Sequence, residues 1–335
     1  MSYKIAINGF GRIGRLVLRA LVESGRNDLE IVAINSPGAA EVMAHLLEHD
    51  TTHGKFRGSV RLEDETLDFG AGPVPLYHEK QPELLPWGKL GVDIVLECSG
   101  HFNSRDKAVA HLEAGAKRVL ISAPAKNADL TIVYGVNSHL LNDSHIVVSN
   151  ASCTSNCLAP LAKVLNDAVG IDAGFMTTVH AYTGDQNILD NSHKDLRRAR
   201  AGARSLVPTS TGAAEAIGLV LPELAGKLSG SAIRVPTENV SLVDFSFVAS
   251  RDTSIDEINA ALTEAANGKL QGVLSTNNLP LVSIDFNHDP HSSIADLTQT
   301  DVLERRLARV VAWYDNEWGF SMRMLDTAAT MAKYL

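Results

Sequence analysis

Lys4-Ile5-Ala6-Ile7-Asn8-Gly9-Phe10-Gly11-Arg12-Ile13-Gly14-Arg15-Leu16-Val17-Leu18-Arg19-Ala20-Leu21-Val22 decides the fold. Lys4 to Asn8 reads as a buried strand, Gly9-x-Gly11-x-x-Gly14 as a turn, and Arg15 to Val22 as an amphipathic helix. In that order each glycine has its own task. The first permits the tight turn, the second lets a pyrophosphate approach the backbone, and the third lets helix and strand pack closely, with the phosphates at the helix N-terminus. A second strand, Leu29 to Ile34, ends at Asn35-Ser36-Pro37-Gly38. Further strands at Val92 to Glu97 and Lys117 to Ser122 are separated by a helical pattern from about Arg105 to Ala116. Repeated strand–helix alternation predicts an α/β protein with a Rossmann-type, doubly wound parallel sheet.

Outward from there, Ser149-Asn150-Ala151-Ser152-Cys153-Thr154-Ser155-Asn156-Cys157 follows the apolar run His145 to Val148 and precedes the periodic Leu158 to Leu165. This is again strand, polar turn and helix. Hydroxyls and amides just before the periodic segment are N-cap residues, so Cys153 is expected in the first helical turn, where free N–H groups and the dipole favour a thiolate. Cys157, one turn deeper, reads as a packed bystander. Beyond this helix the pattern changes. Gly174 to His180, the long alternating Ala232 to Ser250, Pro280 to Phe286 and Leu307 to Tyr314 read as strands, and Ile255 to Ala266 as a helix. These predict an α+β catalytic domain with a mainly antiparallel sheet, covering residues 152–316. The dinucleotide-binding domain takes residues 1–151, completed by a C-terminal helix within 317–335.

At 335 residues the chain suits two domains. Its net charge of −9 argues against a dedicated nucleic-acid surface. Three cysteines, Cys98, Cys153 and Cys157, do not make a disulfide framework and point to a reducing compartment. With no signal-peptide layout and no membrane-length apolar run, a cytoplasmic location away from membranes is expected. His45, His49 and His53 recur at four-residue steps, which invites a metal reading. Asp50-Thr51-Thr52 followed by Gly54 argues that the helix ends near His49, so no metal is expected. His288-Asp289-Pro290-His291 is read as structural, because Pro290 breaks helical spacing.

The cysteine stretch, the Asn8 to Arg15 turn and Trp313-Tyr314-Asp315-Asn316-Glu317-Trp318-Gly319 together resemble the phosphorylating glyceraldehyde-3-phosphate dehydrogenases over nearly the whole chain. The resemblance implies Cys153 as nucleophile and His180 as its acid/base partner. An aldehyde would form a hemithioacetal, lose hydride to a nicotinamide coenzyme and leave as an acyl phosphate. Thr183, Asp185 and Arg234 would hold the phosphate of glyceraldehyde 3-phosphate, and Ser152, Thr154, Arg198, Thr211 and Gly212 the attacking inorganic phosphate. Arg forks and hydroxyl donors at turns are what phosphate binding requires. Coenzyme contacts would fall on Gly9, Gly11, Arg12, Ile13, Gly14, Asn35, Ser36, Lys80, Ser122, Ser192 and Asn316. Family members specialised for NAD commonly carry Asp where this chain has Ser36, and Leu-Pro where it has Asn191-Ser192. Both departures imply competence with NADP as well as NAD, because a hydroxyl can donate to a 2′-phosphate that an Asp would repel. The resemblance also implies a homotetramer. Alternatives are a paralogue acting on erythrose 4-phosphate, and a redox-sensing or RNA-binding protein on the same fold.

Overall fold

The computed structural model describes residues 2–335. The chain forms two compact units. One runs up to Tyr134 and takes in Ser138–Ser152 and Ser321–Leu335; the other comprises Gly135–Asn137 and Cys153–Phe320.

The first unit is built on a nine-stranded sheet. Its seven parallel strands lie in the order Leu130–Thr131, Val147–Ser149, Arg118–Ile121, Ile94–Glu97, Tyr3–Asn8, Leu29–Asn35 and Pro73–Tyr77. Thr66–Asp68 and Arg61–Glu63 extend the last of these antiparallel. Sequence order reverses at Tyr3–Asn8, the switch point beyond whose carboxyl end such sheets bind ligands. The helix Arg12–Glu23 starts there. Apolar β-branched runs make these strands, and the central ones are buried: Ile5, Ala6, Ile7, Val95, Leu96, Val119 and Leu120 are all fully enclosed. Ala6, Ala33, Val95 and Trp87 share one side-chain cluster, and Ala108, Val119, Ile121 and Val147 another.

The C-terminal segment belongs to this unit through charged pairs rather than sequence proximity. Arg26 Nη1 reaches Asp326 at 2.5 Å, Arg323 pairs with the same carboxylate at 2.8 Å, and Arg118 Nη2 donates to the Tyr334 carbonyl at 2.7 Å. Thr327 Oγ1 donates to Asn150 Oδ1 at 2.8 Å.

The second unit carries a seven-stranded, mainly antiparallel sheet in the order Val207–Thr209, Leu228–Val235, Ile171–Ala181, Ser241–Ala249, Leu307–Tyr314, Ser293–Leu303 and Leu274–Asn277. Two expectations fail here. The alternation from Ala232 to Ser250 is not one strand. It breaks after Val235 at Pro236, which has no N–H to give the ladder. Its first half runs parallel to Ile171–Ala181, its second half antiparallel. Pro280 to Phe286 is not a strand either: Ser283–Phe286 is a 3-10 turn, held by Asp285, whose carboxylate accepts the Val282 N–H at 2.8 Å. The helix Ala40–Glu48 ends before His49, which enters a two-residue strand. His291 turns back onto Asp289 at 2.7 Å. Among the described residues no helix is long and apolar enough to cross a membrane.

Candidate active site

In the first unit the glycine turn shows what each glycine is for. Gly9 sits at φ +94°, and a Cβ there would lie 2.4 Å from the Ser99 Cα; a Cβ on Gly14 would lie 2.1 Å from the Gly9 carbonyl oxygen. Gly11 differs, since a Cβ there would meet nothing within 4 Å. It stands at the N-cap of Arg12–Glu23, whose first turn has no capping side chain and no acidic residue. Gly11 therefore leaves open space at a helix N-terminus that no side chain caps, and the residues present fit a dinucleotide pyrophosphate. Gly14→Ala is expected to lower stability by about 2 kcal/mol or more, because neither backbone in that contact can yield. Gly11→Ala is expected to leave the denaturation midpoint nearly unmoved yet weaken coenzyme binding by roughly tenfold, the Cβ taking the ligand's space. Equilibrium denaturation with coenzyme fluorescence titration checks both.

Beside the turn, a cavity of about 300 Å³ is lined by Asn8, Gly9, Asn35, Pro37, Glu79, Lys80, Ser99, His101 and Phe102. Lys80 lies at its exposed rim. Asn35 serves mainly as a brace: its amide donates to Asn8 Oδ1 at 2.7 Å and to the Glu79 carbonyl at 2.9 Å, and accepts the Glu79 N–H at 2.9 Å. The Ser99 to Phe102 wall was not legible from the motif. It is fixed from below by Glu97, fully buried, which accepts from Ser99 N and Oγ on one oxygen and from Asn8 and His111 on the other. Trp87 Nε1 can only donate, so His111 Nδ1 accepts and its Nε2–H is the donor to Glu97. Ser122 is half-buried at the end of the neighbouring strand, hydrogen-bonded to the Cys98 thiol. Arg12 pairs with Asp50 at 2.5 Å, and Ile13 is half-buried beside it.

In the second unit, Ala151 at φ +56° turns the chain from the Val147–Ser149 strand through Ser152, and Cys153 is the first residue of the helix Cys153–Val169. Its Sγ lies 3.4 Å from Nε2 of His180. His180 ends the Ile171–Ala181 strand, where Arg234 of the adjacent parallel strand is its register partner. Nδ1 faces an acceptor, the Ala181 carbonyl at 2.7 Å, and a donor, Arg234 Nη1 at 3.0 Å; the shorter contact puts the proton on Nδ1 and leaves the Nε2 lone pair to the thiol. Arg234 Nη1 donates to the same carbonyl at 3.2 Å and packs 3.0 Å from Nδ1. Burial, and then the Arg234 charge, pull the His180 imidazole down to about 3. Burial also pushes the Cys153 thiol above its ordinary value, despite the Arg234 charge and the Thr154 and backbone donors that pull it down. The resting pair is thus thiol and neutral imidazole. The helix start alone does not make a thiolate. Cys157 is buried against Ser293 Oγ at 3.6 Å, and its thiol is pushed up to about 12 by burial.

Tyr314, which the motif did not single out, ties the two halves of the pair. Its buried hydroxyl lies 2.9 Å from both Thr154 Oγ1 and Thr178 Oγ1, and its ring meets the His180 ring edge-on at 5.9 Å. Ser241 accepts the Ala181 N–H at 3.1 Å and donates to Asn316 Oδ1 at 2.8 Å, fixing the buried Asn316.

Arg234 Nε is buried and has no hydrogen-bond partner among the described residues, an N–H that an anion would satisfy. Arg198 donates to Asp185 at 2.7 Å and to Thr209 Oγ1 at 3.0 Å, and Thr209 donates in turn to Asp195 at 2.7 Å. Asp185 therefore aims an arginine rather than contacting an anion itself, and Thr209 and Asp195 join the set. Burial raises the Asp185 carboxyl, but Arg198 and His193 outweigh it and hold it below the carboxylate range. Thr183 is anchored by its N–H to Gln186 at 2.8 Å. Thr211 Oγ1 accepts the Ala213 N–H at 3.2 Å, and Gly212 faces open space at the N-cap of Ala213–Val220. Ser192 is exposed on the loop between these groups, its N–H on Asn191 Oδ1 at 2.7 Å.

Residues 3–105 match the family model "Glyceraldehyde 3-phosphate dehydrogenase, NAD binding domain", and residues 152–316 match "Glyceraldehyde 3-phosphate dehydrogenase, C-terminal domain". The chain is similar to glyceraldehyde-3-phosphate dehydrogenases of Xanthobacter flavus (64% identical over 99% of both chains) and Cereibacter sphaeroides (59% over 100% of both). It is 52% identical to that of Geobacillus stearothermophilus over 99% of both chains.

Proposed function

Because the chain belongs to the glyceraldehyde-3-phosphate dehydrogenase family, NAD-dependent oxidoreductases, we propose that it converts D-glyceraldehyde 3-phosphate and inorganic phosphate to 1,3-bisphosphoglycerate through a thioester on Cys153. The observation that carries this reading is the 3.4 Å approach of the Cys153 thiol to an unprotonated, acceptor-ready His180 Nε2. His180 takes the thiol proton as sulfur adds to the aldehyde carbon. The Nε2–H so formed then passes its proton to the hemithioacetal oxygen, which the Cys153 N–H at the helix start also stabilises. When bound, the nicotinamide coenzyme supplies the hydride acceptor that turns this adduct into a thioester. His180 takes up the hydroxyl proton as the carbonyl re-forms. Inorganic phosphate attacks the thioester carbon, and the C–S bond breaks as the His180 Nε2–H returns its proton to the departing sulfur, restoring thiol and neutral imidazole.

Thr183, Asp185 and Arg234 serve the substrate phosphate; Arg198, which Asp185 orients, serves the attacking one with Ser152, Thr154, Thr211 and Gly212. Gly9, Gly11, Arg12, Ile13, Gly14, Asn35, Ser36, Lys80 and Ser122 form the coenzyme cradle of the first unit; the family resemblance gives Ser192 and Asn316 coenzyme contacts as well. Ser36 and Asn191-Ser192 support use of NADP beside NAD. A homotetramer is supported by the exposed Ile188, Leu189, Leu196 and Leu206, at 83, 77, 83 and 69%. No metal takes part, and the enzyme acts in the cytoplasm.

Initial rates with glyceraldehyde 3-phosphate, with and without inorganic phosphate, and with NAD and NADP in parallel, test the reading. Phosphate-dependent turnover supports it, and turnover with NADP supports the role given to Ser36 and Ser192. Turnover with NAD alone removes that role and leaves the chemistry. No turnover with either coenzyme, but oxidation of erythrose 4-phosphate, overturns the substrate assignment.

A further inference from the structure

Ser36 stands where the second strand of a dinucleotide-binding sheet meets the adenosine ribose. Its surroundings hold a cation that the motif does not contain. His78 Nδ1 lies 3.0 Å from the Ser36 carbonyl oxygen, and its Nε2 lies 2.8 Å from Glu65 Oε2. A carbonyl and a carboxylate both only accept, so both ring nitrogens carry protons and the ring is an imidazolium. The placement is fixed by the sheet: Asn35 registers with Tyr77, and the Ser36 N–H donates to the Tyr77 carbonyl at 2.9 Å. His78 immediately precedes Glu79 and Lys80, which line the cavity, and touches the carbonyl of Ser36, whose chain neighbours Asn35 and Pro37 line it too.

We propose that His78 is a specificity-determining residue of the coenzyme site, its imidazolium beside Ser36 favouring a phosphate on the adenosine 2′-oxygen and making that preference depend on proton uptake. The inference rests on the reading of Ser36 given above and deepens it. The charged group facing the ring is Glu65, from the turn between Arg61–Glu63 and Thr66–Asp68; backbone oxygen of Ser36 and backbone of Gly38 face it from the other side. Glu79 follows in the chain with one oxygen accepting the Lys80 and Gln81 N–H groups, and the exposed Lys80 adds a second basic side chain at the cavity rim. The hydrogen bond to Glu65 raises the His78 ring above its ordinary value, against a smaller opposing effect of burial. Protonation is therefore held to higher pH than in a free imidazole and is lost as pH rises further.

The test is calorimetric titration of adenosine 2′,5′-bisphosphate and of ADP into the full-length wild type, His78→Gln and His78→Lys at about pH 6 and about pH 8.5, either side of a histidine transition. The 2′-phosphate itself titrates near about pH 6. The comparison is therefore between proteins at one pH, where the ligand's own titration cancels. At the lower pH, wild type should prefer the bisphosphate over ADP by about fivefold more than His78→Gln does, the scale of one half-exposed charge pair. At the higher pH that gap should close, while His78→Lys keeps it at both. Equal preferences in wild type and His78→Gln at the lower pH overturn the proposal, as does an undetectable bisphosphate complex of wild type there. A persistent gap without NADP turnover leaves the His78 contact standing and removes only the coenzyme reading above.

Discussion

Cys153→Ala is expected to lower phosphate-dependent turnover by roughly 10⁴-fold or more while the protein stays folded and binds NADH. No second thiol can stand in. Cys157 is enclosed and held protonated by burial, and Cys98 is likewise pushed up to about 12 by burial. The side chain removed is small, and its neighbours Thr154, Thr178 and Tyr314 keep their hydrogen bonds to one another. Steady-state rates give the first readout, NADH fluorescence titration the second. Mass spectrometry after mixing wild type with substrate and coenzyme, phosphate withheld, should find an acyl adduct on the peptide containing Cys153. Turnover within tenfold of wild type in the alanine variant would sink the mechanism.

His180→Asn should cost about 10²- to 10⁴-fold in kcat/KM, the range for losing a positioned base. Its pH dependence should change with it. With the imidazole held down to about 3 by burial and Arg234, the ligand-free enzyme keeps a neutral base throughout the ordinary range, so its protonation imposes no loss of rate as pH falls towards 5. Without the base, reaction depends on the thiolate fraction alone. The Cys153 thiol is raised by burial, so that fraction grows about tenfold per pH unit below its pKa, and log(kcat/KM) of the variant should climb with a slope near one. Parallel profiles for variant and wild type would show that His180 is not the base.

The parts legible in the sequence are those whose cause is local. Gly9, Gly11 and Gly14 announce a strand–turn–helix because their steric reasons lie within a few residues. The cysteine turn is read the same way, and the structure starts a helix at Cys153. What escaped depends on partners far along the chain. Tyr314 acts through Thr154, 160 residues away, and Glu97 reaches Asn8 across 89. Alternation continues through Pro236, so a period-two pattern could not show that Leu228–Val235 parts from Ser241–Ala249; the proline was the available signal. Asp185 pairs with Arg198, a partner 13 residues on that its motif does not show. Burial of the Cys153 thiol, which opposes the thiolate that the helix start favours, is an effect that no spacing reveals. His78 belongs to the same class, since its meaning comes from Ser36, 42 residues earlier.

The way the first unit closes has a consequence for biosynthesis. Its central strands are laid down early, yet Ser321–Leu335 belongs to it, clasped by Arg26 and Arg118. A ribosome delivering this chain from the N-terminus must therefore finish the whole of the second unit before it can supply the last piece of the first. Between those moments the nascent sheet waits with a missing wall. Chaperone capture is expected to concentrate in that interval, and a stop codon only fifteen residues early should leave the nucleotide-binding half, not the catalytic half, unfinished.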